Sequence, residues 1–96
     1  MAKEAWLNKN TGDLFKVILS LKSLTEAKAF FRDLLTEREI IEFGARWKAA
    51  RMLDKAISYK EIEKETGLSS RTIARINIWL KKGKGGYRLL IHRAGK

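Results

Sequence analysis

Three times along the chain a hydroxyl residue stands three positions ahead of a glutamate: Ser23 and Glu26, Thr36 and Glu39, Ser58 and Glu61. In such a pair the hydroxyl oxygen accepts from an orphan N–H of a helix's first turn, and the glutamate reaches back to the capping residue. Apolar residues at helical spacing follow each pair, and the sequence has no proline to interrupt them. Together these features commit the chain to an all-α fold.

Read from the caps outward, the apolar spacing predicts a first helix over about residues 12–22, with Leu14, Ile18 and Leu21 on one face. A second covers about 25–35, where Leu24, Ala27, Phe31 and Leu34 align and Phe30 and Leu35 widen the stripe. A third, long helix runs from about Glu37 to Lys55, with Ile40, Phe43, Trp47 and Ala50 as its inner seam and Gly44 open to a close backbone neighbour. Next come a short helix over Tyr59–Glu65, a break at Thr66-Gly67-Leu68, and a helix from about Ser70 to Lys82. Gly83-Lys84-Gly85-Gly86 ends it, glycine supplying a left-handed cap. Residues 87–92 form either a last short helix or a frayed end. The first ten residues read as a mobile arm, although Trp6 and Leu7 are apolar enough to pack.

Charge divides this chain unevenly. Its 21 Lys and Arg and 11 Asp and Glu give a net charge of +10. No acid follows Glu65, whereas Arg71, Arg75, Lys81, Lys82, Lys84, Arg88, Arg93 and Lys96 all lie beyond it. A nearly neutral body with an acid-free basic end is suited to a polyanion, through long-range attraction and counterion release.

Other chemistries lack their residues. With no Cys and His92 alone, there is no ligand set for a structural metal and no thiol chemistry. Glu37, Glu39 and Glu42 are the densest acids outside the basic half, and they suit a solvated helix start better than an acid/base pair. The chain therefore reads as a non-enzyme without cofactor or metal. Hydrophobic runs are short and broken by charge, and no signal peptide is visible, which fits a cytoplasmic protein without a membrane span.

The helix–glycine–helix segment carries the function. Gly67 supplies the positive φ that turns the chain between two helices. Ile62, Leu68, Ile73 and Ile76 are the apolar residues that lock the pair, as a helix-turn-helix requires. Ser69 or Ser70 caps the second helix, which leaves Ser69, Ser70, Arg71, Ala74 and Arg75 at its exposed start. Small, hydrogen-bonding and cationic residues there suit a DNA major groove, where arginine meets guanine bidentately.

Several of these residues also resemble the Trp repressor family. Leu35-Thr36 with Glu39, Gly44-Ala45-Arg46, Ser58-Tyr59-Lys60-Glu61-Ile62, and Gly67 followed by Thr72-Ile73-Ala74-Arg75 carry the likeness. Leu14–Leu24, Phe30-Phe31-Arg32-Asp33-Leu34 and Ala50-Arg51-Met52-Leu53 look closer still to its YerC/YecD-like branch. The similarity spans about residues 12–92. It implies a six-helix subunit that intertwines with a second copy. In that arrangement residues 11–96 form one domain: a dimerisation core over 11–57, the helix-turn-helix over 58–82, and a linker with a short helix over 83–96. A homodimer would also cover the apolar surface of the first three helices, which exceeds what one small subunit can bury.

The family's DNA contacts correspond here to Lys60, Ser70, Arg71 and Ala74, with Lys81, Lys82 and Lys84 adding attraction to the backbone. Its effector pocket corresponds to Thr36, Arg46, Thr72, Arg75, Ile76 and Trp79. Two of these depart from the pattern: Ile76 stands where the ligand packs against glycine, and Trp79 where a serine helps to hold it. The pocket thus reads as filled by the protein itself, with no small-molecule effector, and Arg46 and Arg75 are left to pair with acids such as Glu42 or Glu63 or to contact phosphate. Two functions fit this sequence. One is a homodimeric transcription regulator, a repressor, on a palindromic double-stranded operator without tryptophan. The other is a nucleic-acid-binding protein of RNA or nucleoid type with little sequence choice.

Overall fold

A computed structural model describes residues 4–94, and every regular element among them is a helix. The helices are α1 (Lys9–Ile18), α2 (Leu24–Leu34), α3 (Glu37–Asp54), α4 (Tyr59–Thr66), α5 (Ser70–Lys82) and α6 (Gly86–Ala94). The chain falls into two compact units, one ending at Thr36 and the other beginning at Glu37.

In the first unit α1 starts earlier than the spacing suggests. Asn8 is its cap: the side chain accepts from the Thr11 N–H at 2.9 Å, and the Thr11 hydroxyl accepts from the Asn8 N–H at 2.9 Å. Threonine takes the place of the glutamate sought in a capping box, which is why the start was not legible. The arm anticipated over residues 1–10 is correspondingly shorter. Lys9 and Asn10 lie inside α1, Leu7 N–H closes a turn onto Glu4 O at 3.0 Å, and the Trp6 ring meets Phe15 edge-on at 6.1 Å. Residues 1–3 of that arm lie outside the described residues.

Helix α2 has the expected cap, Ser23 accepting from Glu26 N–H at 3.1 Å. The Glu26 carboxylate, however, reaches Lys22 N–H at 2.9 Å, one residue beyond the box. Neither α1 nor α2 buries a single residue, and Leu19 and Leu24 are 85% and 70% exposed.

The second unit holds the core. Ala49, Ala50, Ile62, Ile73 and Ile76 are fully buried, with Met52, Leu53, Ile57, Leu68, Tyr87 and Ile91 packed around them. Of the seam expected on α3, only Ala50 is buried. Trp47 is half-covered and Phe43 is 49% exposed. The reason is where α4 and α5 lie: they close on the alanines near the end of α3, and the larger side chains nearer its start are covered only in part. Helix α3, assigned from the sequence to the dimerisation core over 11–57, also forms the floor on which α4 and α5 pack. A would-be Cβ on Gly44 has no described neighbour of the second unit within 4 Å beyond its own helix backbone, so the close approach anticipated there is not made within this unit.

A sharp corner joins α5 to α6. Its left-handed residue is Gly85 (φ 89°), while Gly83, the expected left-handed cap, has φ −81°. Gly83 is required for a different reason, since a Cβ there would run into the Trp79 carbonyl. Arg88 then folds back, its Nε donating to Leu80 O at 2.9 Å and Nη2 to Lys81 O at 3.4 Å. A cation on those last carbonyls both satisfies them and opposes the negative end of the α5 dipole. The ends of α5 and α6 are thereby tied, and α6 forms in full rather than fraying.

Because each fully buried isoleucine contributes roughly 1.5–3 kcal/mol, this small core is sensitive to truncation. Ile73→Ala is expected to cost about 2–5 kcal/mol, read as a lowered urea midpoint with unchanged m-value.

Candidate nucleic-acid interface

The turn between α4 and α5 is built by four consecutive residues. Ser58 starts α4 by accepting from Glu61 N–H at 3.2 Å, and Gly67 ends it in the left-handed region at φ 74°. Thr66 does the joining. Its hydroxyl donates to Ile62 O at 2.7 Å and accepts from Leu68 N–H at 3.2 Å, so one side chain satisfies a group on each side of the glycine. Leu68 then drops onto the core, and Ser69 caps α5 by accepting from Thr72 N–H at 3.2 Å.

That cap decides what is left at the start of α5. The Ser69 hydroxyl also donates to Thr72 Oγ1 at 3.1 Å, so it is occupied on both sides. Ser70, Arg71 and Arg75 are exposed, Ala74 is half-buried, and neither arginine is drawn into an ion pair with a described residue. Lys60 is exposed on α4. Lys81 and Lys82 are exposed too, but at the far end of α5. At about 1.5 Å of rise per residue they lie roughly 16 Å along the axis from Ser70. The basic residues therefore form two groups, one at each end of α5, rather than one patch.

The six positions of the family's effector pocket are distributed as follows. Thr36 ends the first unit, and the other five belong to the second. Ile76 is fully buried against Ala49, Ala50, Ile62 and Ile73. Thr72 is half-buried and bonded to Ser69. Arg46 pairs with Glu42 at 2.6 Å, one turn back on α3, and sits 5.9 Å over the Phe43 ring. Its Nε is buried with no hydrogen-bond partner. Trp79 is 48% exposed and borders a cleft of about 570 Å³ with Trp47, Tyr87 and Leu90. Within that cleft Trp47 and Tyr87 stack at 6.4 Å with their planes 22° apart, and Arg51 covers the Trp47 ring at 5.7 Å. Burial pushes the Tyr87 phenol above its ordinary pKa, and the nearby Arg46 charge opposes this to a smaller extent.

Two features had no sequence signal strong enough to single them out. The Thr66 bridge depends on a left-handed residue directly after it, and threonines at helix ends are common. The ion pair of Lys48 Nζ with Glu65 Oε1 at 3.4 Å links α3 to α4 across 17 positions of sequence, beyond any helical spacing.

A glycine-hinged helix pair on a helical floor, with an uncluttered and cationic start to its second helix, defines a helix-turn-helix protein of the DNA-binding regulator class. The chain belongs to the Trp repressor family: the sequence profile of the Trp repressor protein matches residues 9–94. It is 42% identical over 85 residues to the uncharacterised YerC protein of Bacillus subtilis (strain 168), covering 88% of this chain and 82% of that one. Among solved structures it resembles a TrpR-like protein from Eubacterium eligens ATCC 27750, at TM-score 0.88 and 39% identity, covering 94% of this chain and 93% of that one. A candidate Trp repressor from Staphylococcus aureus matches at TM-score 0.89 and 33% identity, over 99% and 95% of the two chains. The family is one of regulators rather than enzymes. No helix among the described residues is long and apolar enough to cross a membrane.

Thr66→Val retains the shape but removes both hydroxyl bonds of the turn. It is expected to cost about 1–3 kcal/mol, and amide exchange should accelerate at Leu68 more than at Ile73.

Proposed function

We propose that the chain is a cytoplasmic transcription regulator, a repressor, that binds a palindromic double-stranded operator as an intertwined homodimer and does so without tryptophan. The observation that carries the DNA reading is the start of α5, where Ser70, Arg71 and Arg75 are exposed and unpaired while Ile73 and Ile76 anchor the same helix from behind. Arg71 has the fork geometry for a guanine edge, Ala74 lets the helix sit deep, and Lys60 meets the adjacent phosphates. Ser69 serves this interface as the cap that leaves its neighbours free. Lys81 and Lys82, at the other end of α5, attract the backbone at longer range.

The homodimer is supported by apolar surface that one chain leaves open. No described residue of the first unit is fully buried, and Ile41, Ile78 and Leu89 are 72%, 57% and 53% exposed in the second. A second copy interleaved with the first would remove these from water. In helix-turn-helix dimers, Trp repressor among them, the two reading helices stand about 34–36 Å apart, one turn of duplex. Independence from tryptophan is supported by Ile76. Where the family's ligand packs against a glycine, this chain has an isoleucine that belongs to its fully buried core.

Arg71→Ala is expected to weaken binding to a duplex selected from random sequence and to relax its base preference by about 1–3 kcal/mol at one position. Equal affinity for all duplexes, collapsing together with salt, would favour the nonspecific RNA or nucleoid reading instead. Calorimetry of the full chain with L-tryptophan should register no heat of binding near physiological levels; saturation at micromolar ligand would remove the self-filled pocket. Sedimentation equilibrium should give twice the chain mass.

A further inference from the structure

Helix α4 sorts its charges by face. At about 100° per residue, Lys60 and Lys64 lie some 40° apart, and their midpoint is about 180° from Ile62. Ile62 is fully buried, so the two lysines point straight away from the core, and both are exposed. Glu61 and Glu65 make a second stripe about 100° further round. The structure turns that stripe toward α3, where Lys48 pairs with Glu65 at 3.4 Å. Glu63 lies on the opposite flank, about 60° from Lys60 and about 100° from Lys64.

Among the described residues neither Lys60 nor Lys64 is joined to a carboxylate, although three glutamates share their eight-residue helix. Two like charges one turn apart repel, and a polyanion lying along the stripe would reverse the sign of that interaction. In a helix-turn-helix the first helix crosses the nucleic-acid backbone.

We propose that Lys64 is a further phosphodiester contact of this interface, and that Lys48 is a positioning residue that holds the Glu65 charge off the backbone. The inference rests on the DNA-binding reading above and adds to it a backbone-facing stripe one turn long. Lys64 contributes affinity without base choice, because an ammonium on a flexible stem meets a phosphate as a point charge. Lys48 touches no DNA. It neutralises the last acid of the chain at the helix end nearest the reading turn.

The test is a salt titration of the full-length protein on its selected duplex, with thermal melts to establish that each variant is folded. Lys64→Gln is expected to weaken binding roughly three- to tenfold on every duplex alike, and to flatten the salt slope by about 0.9 for each phosphate no longer neutralised. Lys48→Gln should also weaken binding, and Lys48→Gln/Glu65→Gln should restore it. An unchanged slope in Lys64→Gln, on a duplex where Arg71→Ala still binds less tightly, overturns the role of Lys64. A double variant as weak as Lys48→Gln alone overturns the role of Lys48. If Arg71→Ala and Lys64→Gln both bind as the unaltered protein does, the placing of DNA binding on α4 and α5 fails and this inference with it; no binding of any duplex by the unaltered protein would remove the DNA-binding reading itself.

Discussion

The seating of α5 on α3 is the contact on which the rest of the second unit depends. Ile73 and Ile76 occupy one side of α5, and the surface they meet is made of Ala49 and Ala50. Alanines offer little bulk, so the two backbones come close and each isoleucine is sealed completely. Ile62 closes the same core from α4, which ties both helices of the turn to one floor. The exposed side of α5 is fixed by the same contact. Residues two positions from Ile73 fall on the opposite face, and there lie Arg71 and Arg75. A single packing decision thus hides the isoleucines and presents the arginines.

That economy leaves other surfaces unfinished. A chain of 96 residues buries only a modest share of its surface when folded alone, and here five of the described residues are sealed completely. The aromatic cleft around Trp47, Trp79 and Tyr87 and the open faces of α1 and α2 are apolar surface that a solitary subunit would leave in water. Arg46 illustrates the same incompleteness at one atom, since its Nη2 is paired with Glu42 while its buried Nε bonds to nothing. A second copy is the proposed remedy for the apolar faces.

Much of this was legible in the sequence because it depends on local rules. Ser23 and Ser58 cap where their spacing says, Ser69 is the one of the two candidate serines that caps α5, Gly67 is left-handed, and Ile62, Ile73 and Ile76 are sealed as their positions around the glycine require. What escaped was either an unusual partner or a contact distant in sequence. The start of α1 was missed because Thr11 completes the Asn8 cap. The α3 seam was misplaced because periodicity shows which face is apolar but not how far along it a neighbour extends. Lys48 with Glu65, and Arg88 with the last carbonyls of α5, are contacts between different helices at separations that helical periodicity does not report. For the candidate interface, the residue types were visible from the start. The commitment of Ser69 to capping, and the separation of Lys81 and Lys82 from Ser70 by the length of a helix, needed the fold.

The corner at Gly83 has an optical side. With no room for a side chain against the Trp79 carbonyl, and with Arg88 bonded to the last carbonyls of α5, the start of α6 is tied to the end of α5. Trp79 rides on α5 and Tyr87 on α6, and the latter ring lies face to face with Trp47 of the floor. Any tilt of α5 therefore changes the overlap of two rings and the solvation of a third. Two of the chain's three indoles stand at that joint, so its near-ultraviolet dichroism is a gauge of how α5 sits on α3, built from the protein's own chromophores.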